Sequence, residues 1–269
     1  MCGELDKFKS INQINPLELV NLGTGMGYYD FCYSGIPLSA FNFALPQQNL
    51  YFDYQLLKRY SYLLKKSCTV CLVLPYCIFC ADRLEEALQR YERYYELLPP
   101  EAVEPYCSVS YESWLAKDKR KTDKIDFVKD ALSYEEMRYQ SEETIENWKR
   151  QLHILSFDTG EVSPGTKREI KKSQYWLRNI LGYCEKKNFR PVVVVPPMSQ
   201  TLLDKISMKF RKLNFYDILY STVPEKVEIL DYSENSRFCH PQLYGWPGFL
   251  TEQAAREFTR DIVEKTGME

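Results

Sequence analysis

Short apolar runs, each closed by glycine or proline and separated from the next by a helical pattern, most restrict what this chain can fold into. Residues 17–22 (LELVNL) follow Pro16 and stop at Gly23. Residues 40–45 lie between the 35–37 turn and Pro46, and 69–74 (TVCLVL) form a β-branched run of strand length. Residues 192–195 are wholly apolar and halted by Pro196 and Pro197, and 227–231 read as the last strand. Between 49 and 66, Leu50, Tyr54, Leu57, Tyr60 and Leu64 recur at helical spacing, with Lys58, Arg59 and Lys65 outward. Further helical patterns fill 82–98, 167–187, 202–219 and 252–265, and Thr251 stands where it would cap the last.

Strands without polar alternation, interleaved with amphipathic helices, predict a parallel sheet covered on both faces. The expected fold is therefore α/β: a three-layer sandwich with a mainly parallel, flavodoxin-like five-stranded sheet, in a single domain over residues 1–269. Residues from about 82 to 161 interrupt the alternation as a helical and irregular insertion, with one helix expected around 134–150. Insertions of this length commonly carry function or cover a site. Ligands of such sheets bind where strands end at their carboxyl edge. Function is therefore expected in the loops that begin at Gly23, Pro46, Pro75, Pro196 and Tyr232.

Charge excludes one class of partner. Thirty-five Lys and Arg stand against 37 Asp and Glu, a net charge of -2, so there is no cationic surplus for nucleic acid. The basic runs 117–124 and 167–172 read as solvated faces. The first twenty residues lack the apolar run of a secretory signal, and the longest apolar stretch, 71–81, is about half of what a bilayer crossing needs. The expectation is a cytoplasmic protein with no membrane span. Nine cysteines, an odd number, do not suggest a disulfide framework. The pairs Cys68/Cys71 and Cys77/Cys80 superficially have zinc spacing, but five residues separate them. In a strand, positions three apart also face opposite ways. They read as small buried hydrophobes, and neither a metal nor a cofactor is expected.

The first loop, Gly23-Thr24-Gly25-Met26-Gly27, has G-x-G-x-G spacing where a dinucleotide site needs G-x-G-x-x-G. The second strand ends Asn42-Phe43, with no acid for a ribose. A tight turn is the better reading.

The run from residue 20 to 31 (VNLGTGMGYYDF) resembles the first block of a bacterial branch of the SGNH, or GDSL-type, hydrolases, whose matching stretch reads N-L-G-S-S-H-G. Residues 41–45 followed by 47–54 resemble its second block, 70–79 its third strand and loop, and Asp231-Tyr232 with 243–258 its last block. The likeness covers both ends and most of the middle apart from the insertion. It implies acyl transfer by a serine after the first strand, with an Asp and a His before the last helix as the base. Here the nucleophile position holds Gly25, with Thr24 beside it, while the acid falls on Gly248 and the histidine on Phe249. Glycine and phenylalanine have no proton to give or take. Thr24 and His240 are the weak catalytic substitutes, and the second histidine, His153, lies in the insertion.

The resemblance thus implies an SGNH-like protein that has lost esterase activity and binds a small carbohydrate-like or acylated molecule, or a protein partner. Polysaccharide association is implied by the family likeness alone. The candidate ligand-binding residues are Gly23, Thr24, Gly25, Met26, Asn42, Gln48, Tyr76, Trp246 and Phe249. Aromatic residues crowd the same loops (Tyr28, Tyr29, Phe31, Tyr76, Phe79, Tyr244, Trp246, Phe249), which suits sugar rings or acyl chains, or fills the room a triad would have needed. Two alternatives remain open. An active carbohydrate esterase or O-acyltransferase with a relocated triad would set Thr24 or a cysteine within about 3 to 4 Å of a histidine nitrogen. A scaffolding protein would expose an apolar patch on residues 91–115.

Overall fold

A computed structural model describes residues 4–13, 16–81, 90–117 and 130–268. Five parallel strands form the central sheet: Leu17–Gly23, Ala40–Asn42, Leu64–Val73, Arg190–Val195 and Glu228–Asp231. Numbered along the chain, they lie in the order 2-1-3-4-5, the flavodoxin-like arrangement. The strands are parallel throughout, with Asn21 opposite Asn42 and Cys71, Val73 opposite Val194, and Val195 opposite Asp231. The first crossover runs one way across the sheet and the later ones the other way. Right-handed connection therefore puts helices on both faces.

One face carries Leu50–Tyr60, which packs on the long helix Pro164–Lys187, which in turn packs on Asp217–Thr222. The other face carries Glu252–Lys265, where Phe258 meets Phe31, Tyr232 and Phe238 at 5.6, 4.9 and 5.5 Å between ring centroids. The Thr259 hydroxyl accepts the Cys32 N–H at 2.9 Å, tying this last helix to the turn after the first strand. Thr251 caps it by accepting the Ala254 N–H.

The insertion splits in two. Its earlier part wraps the helix Leu50–Tyr60: Tyr94 stacks on Phe52 at 3.8 Å, Tyr106 on Tyr51 at 4.2 Å, and the Tyr51 hydroxyl donates to the Ala102 carbonyl at 2.7 Å. Its later part is the helix Tyr134–Leu152, started by a capping box between Ser133 and Glu136, then a hairpin of Ile154–Ser156 with Glu161–Val162.

Several predicted boundaries move, each for a local reason. The helix expected over 49–66 ends at Tyr60, and the third strand starts at Leu64, five residues before 69. Its pairing with the first strand shifts between Leu17 and Leu19, and Ser67 takes φ +63. The helix expected over 202–219 is broken into Gln200–Leu203, Met208–Arg211, a π-helical turn Lys212–Tyr216 and Asp217–Thr222. Ser207 restarts it by accepting the Phe210 N–H and donating to the Phe157 carbonyl at 2.6 Å. Of the helix expected over 82–98, residues 82–89 lie outside the described residues, and Arg90–Glu96 is 3-10. Cys68, Cys71, Cys77 and Cys80 are buried, and burial pushes the Cys71 and Cys80 thiols up to about 12. No helix among the described residues is long and apolar enough to cross a membrane.

Phe258 has no solvent exposure. Phe258→Ala is expected to lower the unfolding free energy by about 3–5 kcal/mol in urea denaturation, because three aromatic contacts and the ring's burial go together. A loss under about 1 kcal/mol would contradict this packing.

Candidate functional site

The first strand ends at Gly23, whose φ is +136 and where a Cβ would meet the Val73 carbonyl oxygen at 2.9 Å. Only glycine lets the third strand pass this close. Two paired asparagines then hold the short helix Gly25–Tyr29 that follows. The Asn21 Nδ2 donates to the Gly27 carbonyl at 2.8 Å, and the Asn42 Nδ2 donates to the Gly27 and Tyr28 carbonyls at 2.9 and 3.1 Å. The Asn42 Oδ1 accepts the Ala44 N–H at 2.9 Å, and the Tyr33 hydroxyl donates to the Asn21 Oδ1 at 2.9 Å.

Beneath the turn lies a buried carboxyl. The Asp53 Oδ1 accepts the Gly23 N–H at 2.8 Å and the Gln48 Nε2 at 2.5 Å, while the Gln48 Oε1 accepts the Tyr94 hydroxyl at 3.0 Å. Burial raises the Asp53 carboxyl to about 7, against the pull of those two donors. A second buried acid, Asp30, accepts the Leu250 N–H at 2.9 Å through one oxygen and has no partner for the other. Burial pushes it well above the usual carboxylate range. Its bond sets the hairpin Tyr244–Trp246 and Phe249–Leu250 beside the helix Gly25–Tyr29.

These elements enclose a pocket of about 370 Å³ at the carboxyl edge of the sheet. Thr24, Gly25, Met26 and Tyr29 form one side, Pro46 to Gln48 and the loop of Pro75, Cys77, Ile78 and Ala81 the next, and Phe249 closes it, its ring 4.7 Å from that of Tyr29. Trp148, Gln151 and Leu152 come from the insertion, one face of a helix at spacing i, i+3, i+4. The insertion's later half therefore folds onto the pocket. None of the lining residues among those described carries a charge. A larger cleft of about 730 Å³ sits at the opposite, amino edge. There the Arg190–Glu228 pair at 2.8 Å and the Lys226–Glu185 pair neutralise most of its charge.

The sequence candidates divide accordingly. Thr24, Gly25, Met26, Gln48 and Phe249 line the pocket, though the Gln48 amide is already engaged with Asp53 and Tyr94. Gly23 and Asn42 lie outside the lining and shape the turn beneath it. Tyr76 is buried elsewhere, its hydroxyl 3.1 Å from that of Tyr216, which donates to Asp231 at 2.7 Å. Trp246 is 38% exposed on the hairpin and His240 is exposed ahead of it, both outside the lining. His153 is exposed at the end of the helix Tyr134–Leu152.

Sequence reasoning missed Gln47, Asp53, Trp148 and Gln151. A buried acid in the first turn of a helix could have marked Asp53; the two insertion residues have the spacing of any amphipathic helix. No family model and no curated protein matches the chain. The chemistry must be judged on the residues. Cys77, the one thiol in the lining among the described residues, is pushed well up by burial and so is a poor nucleophile. The Thr24 hydroxyl has no histidine in the lining to activate it.

The raised Asp53 carboxyl has a definite sign. With a folded value of about 7 against an ordinary 3.8, the native state holds its proton more firmly than the unfolded chain. That contribution to stability is complete below the ordinary value and is lost as pH rises towards 7. Asp53→Asn, which imitates the protonated acid, is therefore expected to gain stability relative to the parent between about pH 4 and 7 and to level off above, in urea melts across pH. A flat difference would contradict it.

Proposed function

We propose that this chain is a non-hydrolytic SGNH-like protein whose carboxyl-edge pocket binds a small, uncharged ligand of carbohydrate-like or acylated character. The observation that carries this reading is the ring of Phe249 against Gly25: a Cβ at residue 25 would meet the Phe249 Cε1 and Cζ at 2.9 Å. Where the family likeness puts a serine there is no room for one, and the residue that takes the histidine's place is what fills that room. At Gly248 a Cβ would meet the Met26 Cε at 2.6 Å, the end of a flexible side chain that can move aside, so the closure rests on Phe249.

The pocket's composition supports the ligand class. Tyr29, Trp148 and Phe249 offer aromatic surface, Thr24, Gln47 and Gln151 are neutral polar residues, and no described lining residue would compensate the desolvation of a charged ligand. A volume of about 370 Å³ is at the small end of ligand pockets and suits a single sugar ring or a short acyl chain. The relocated-triad reading lacks a base, because both histidines are exposed and neither lines the pocket. The scaffolding reading lacks its surface: Tyr91, Tyr94, Tyr95 and Trp114 are buried, and Tyr106 and Tyr111 are half-buried against the core.

With 4-nitrophenyl acetate, the protein is expected to turn over ester no faster than its Thr24→Ala and His240→Ala variants. Turnover that either substitution abolishes would reveal a working nucleophile and sink the proposal.

A further inference from the structure

The turn that carries Gln47 is strained in a way its own stability does not explain. The Gln48 N–H donates to the Leu45 carbonyl at 3.0 Å, making a four-residue turn with Pro46 second and Gln47 third. Gln47 has φ +59, and a left-handed third position is where turns take glycine. Two of the other three non-glycine residues with positive φ among those described, His153 and Asn188, end helices, a common use of that conformation. Gln47 has no such role. It lines the pocket, and its Oε1 is buried with no hydrogen-bond partner. The adjacent Gln48 is the contrast: its amide donates to Asp53 and accepts from Tyr94. Of two neighbouring amides, one is built into the fold and the other has an oxygen without a partner. A buried acceptor without a donor costs stability unless something bound supplies the donor.

We propose that the Gln47 Oε1 accepts a hydrogen bond from a neutral N–H or O–H of the bound molecule and so selects amide- or hydroxyl-bearing ligands over isosteres without the donor. This rests on the pocket being a ligand site, as proposed above. The donor is neutral because the described lining contains no carboxylate to receive a cation. An N-acyl group or a sugar hydroxyl fits; an ammonium or a plain ester does not.

N-hexylacetamide and hexyl acetate, which differ by an N–H in place of an oxygen, test this directly when titrated into the full chain and followed by ligand-observed NMR. The parent protein is expected to bind the amide about tenfold more tightly than the ester, the effect of one desolvated hydrogen bond. Gln47→Leu keeps the bulk and Gln47→Gly relaxes the turn. Each is expected to bring the amide down to the ester's affinity while leaving the ester within about twofold. Gln47→Gly should also be at least as stable as the parent in urea, because glycine takes this φ without strain. Equal affinity of the parent for both probes, or a preference that survives both variants, overturns the role of Gln47 and leaves the pocket standing. Saturable binding of neither probe overturns the pocket reading and this inference with it.

Discussion

The buried carboxyl of Asp53 is the joint on which the carboxyl edge of the sheet depends. It takes the last N–H of the first strand at 2.8 Å and the Gln48 amide at 2.5 Å, and through Gln48 it reaches Tyr94 in the insertion. Three segments far apart in sequence thus share one oxygen-centred network. Because Gly23 must also clear the Val73 carbonyl, the turn after the first strand has one allowed path. That path delivers Thr24, Gly25 and Met26 to the pocket.

Above this joint lies the site for which we propose recognition rather than hydrolysis. The acid oxygen of Asp30 positions the hairpin, the hairpin positions Phe249, and Phe249 covers Gly25. The polar residues in the described lining are neutral, Thr24, Gln47, Gln48 and Gln151 among them. Buried polar atoms are normally paired, so the open Gln47 oxygen is the clearest sign of what a ligand would supply. Asp53, although its carboxyl lies near 7, is engaged beneath the turn and lies outside the lining, so it acts on the pocket through the backbone it holds.

The sheet was legible because its signals are local. Glycine and proline stop the strands, and Thr251 caps the last helix by bonding three residues ahead. The break in the segment 200–222 was hidden because the Phe157 carbonyl that Ser207 bonds lies 50 residues away in sequence, in the insertion. The pocket's turn side was legible in Thr24, Gly25 and Phe249. Its insertion side was not, since Trp148 and Gln151 obey a helical spacing that says nothing of which surface they meet. Gln47 gave no sign either: Pro46 announces a turn, but a left-handed glutamine after it appears only in the backbone.

The central claim is that the ring of Phe249 occupies the space a side chain at residue 25 would need, and a double-mutant cycle measures that space. Gly25→Ala alone is expected to cost about 1–3 kcal/mol in urea denaturation, because the new Cβ meets the ring. In a Phe249→Ala background the same substitution should cost nothing or stabilise slightly, as alanine does in a helix, giving a coupling of at least about 1 kcal/mol. If Gly25→Ala costs the same with and without the ring, Phe249 does not close the site and the account fails.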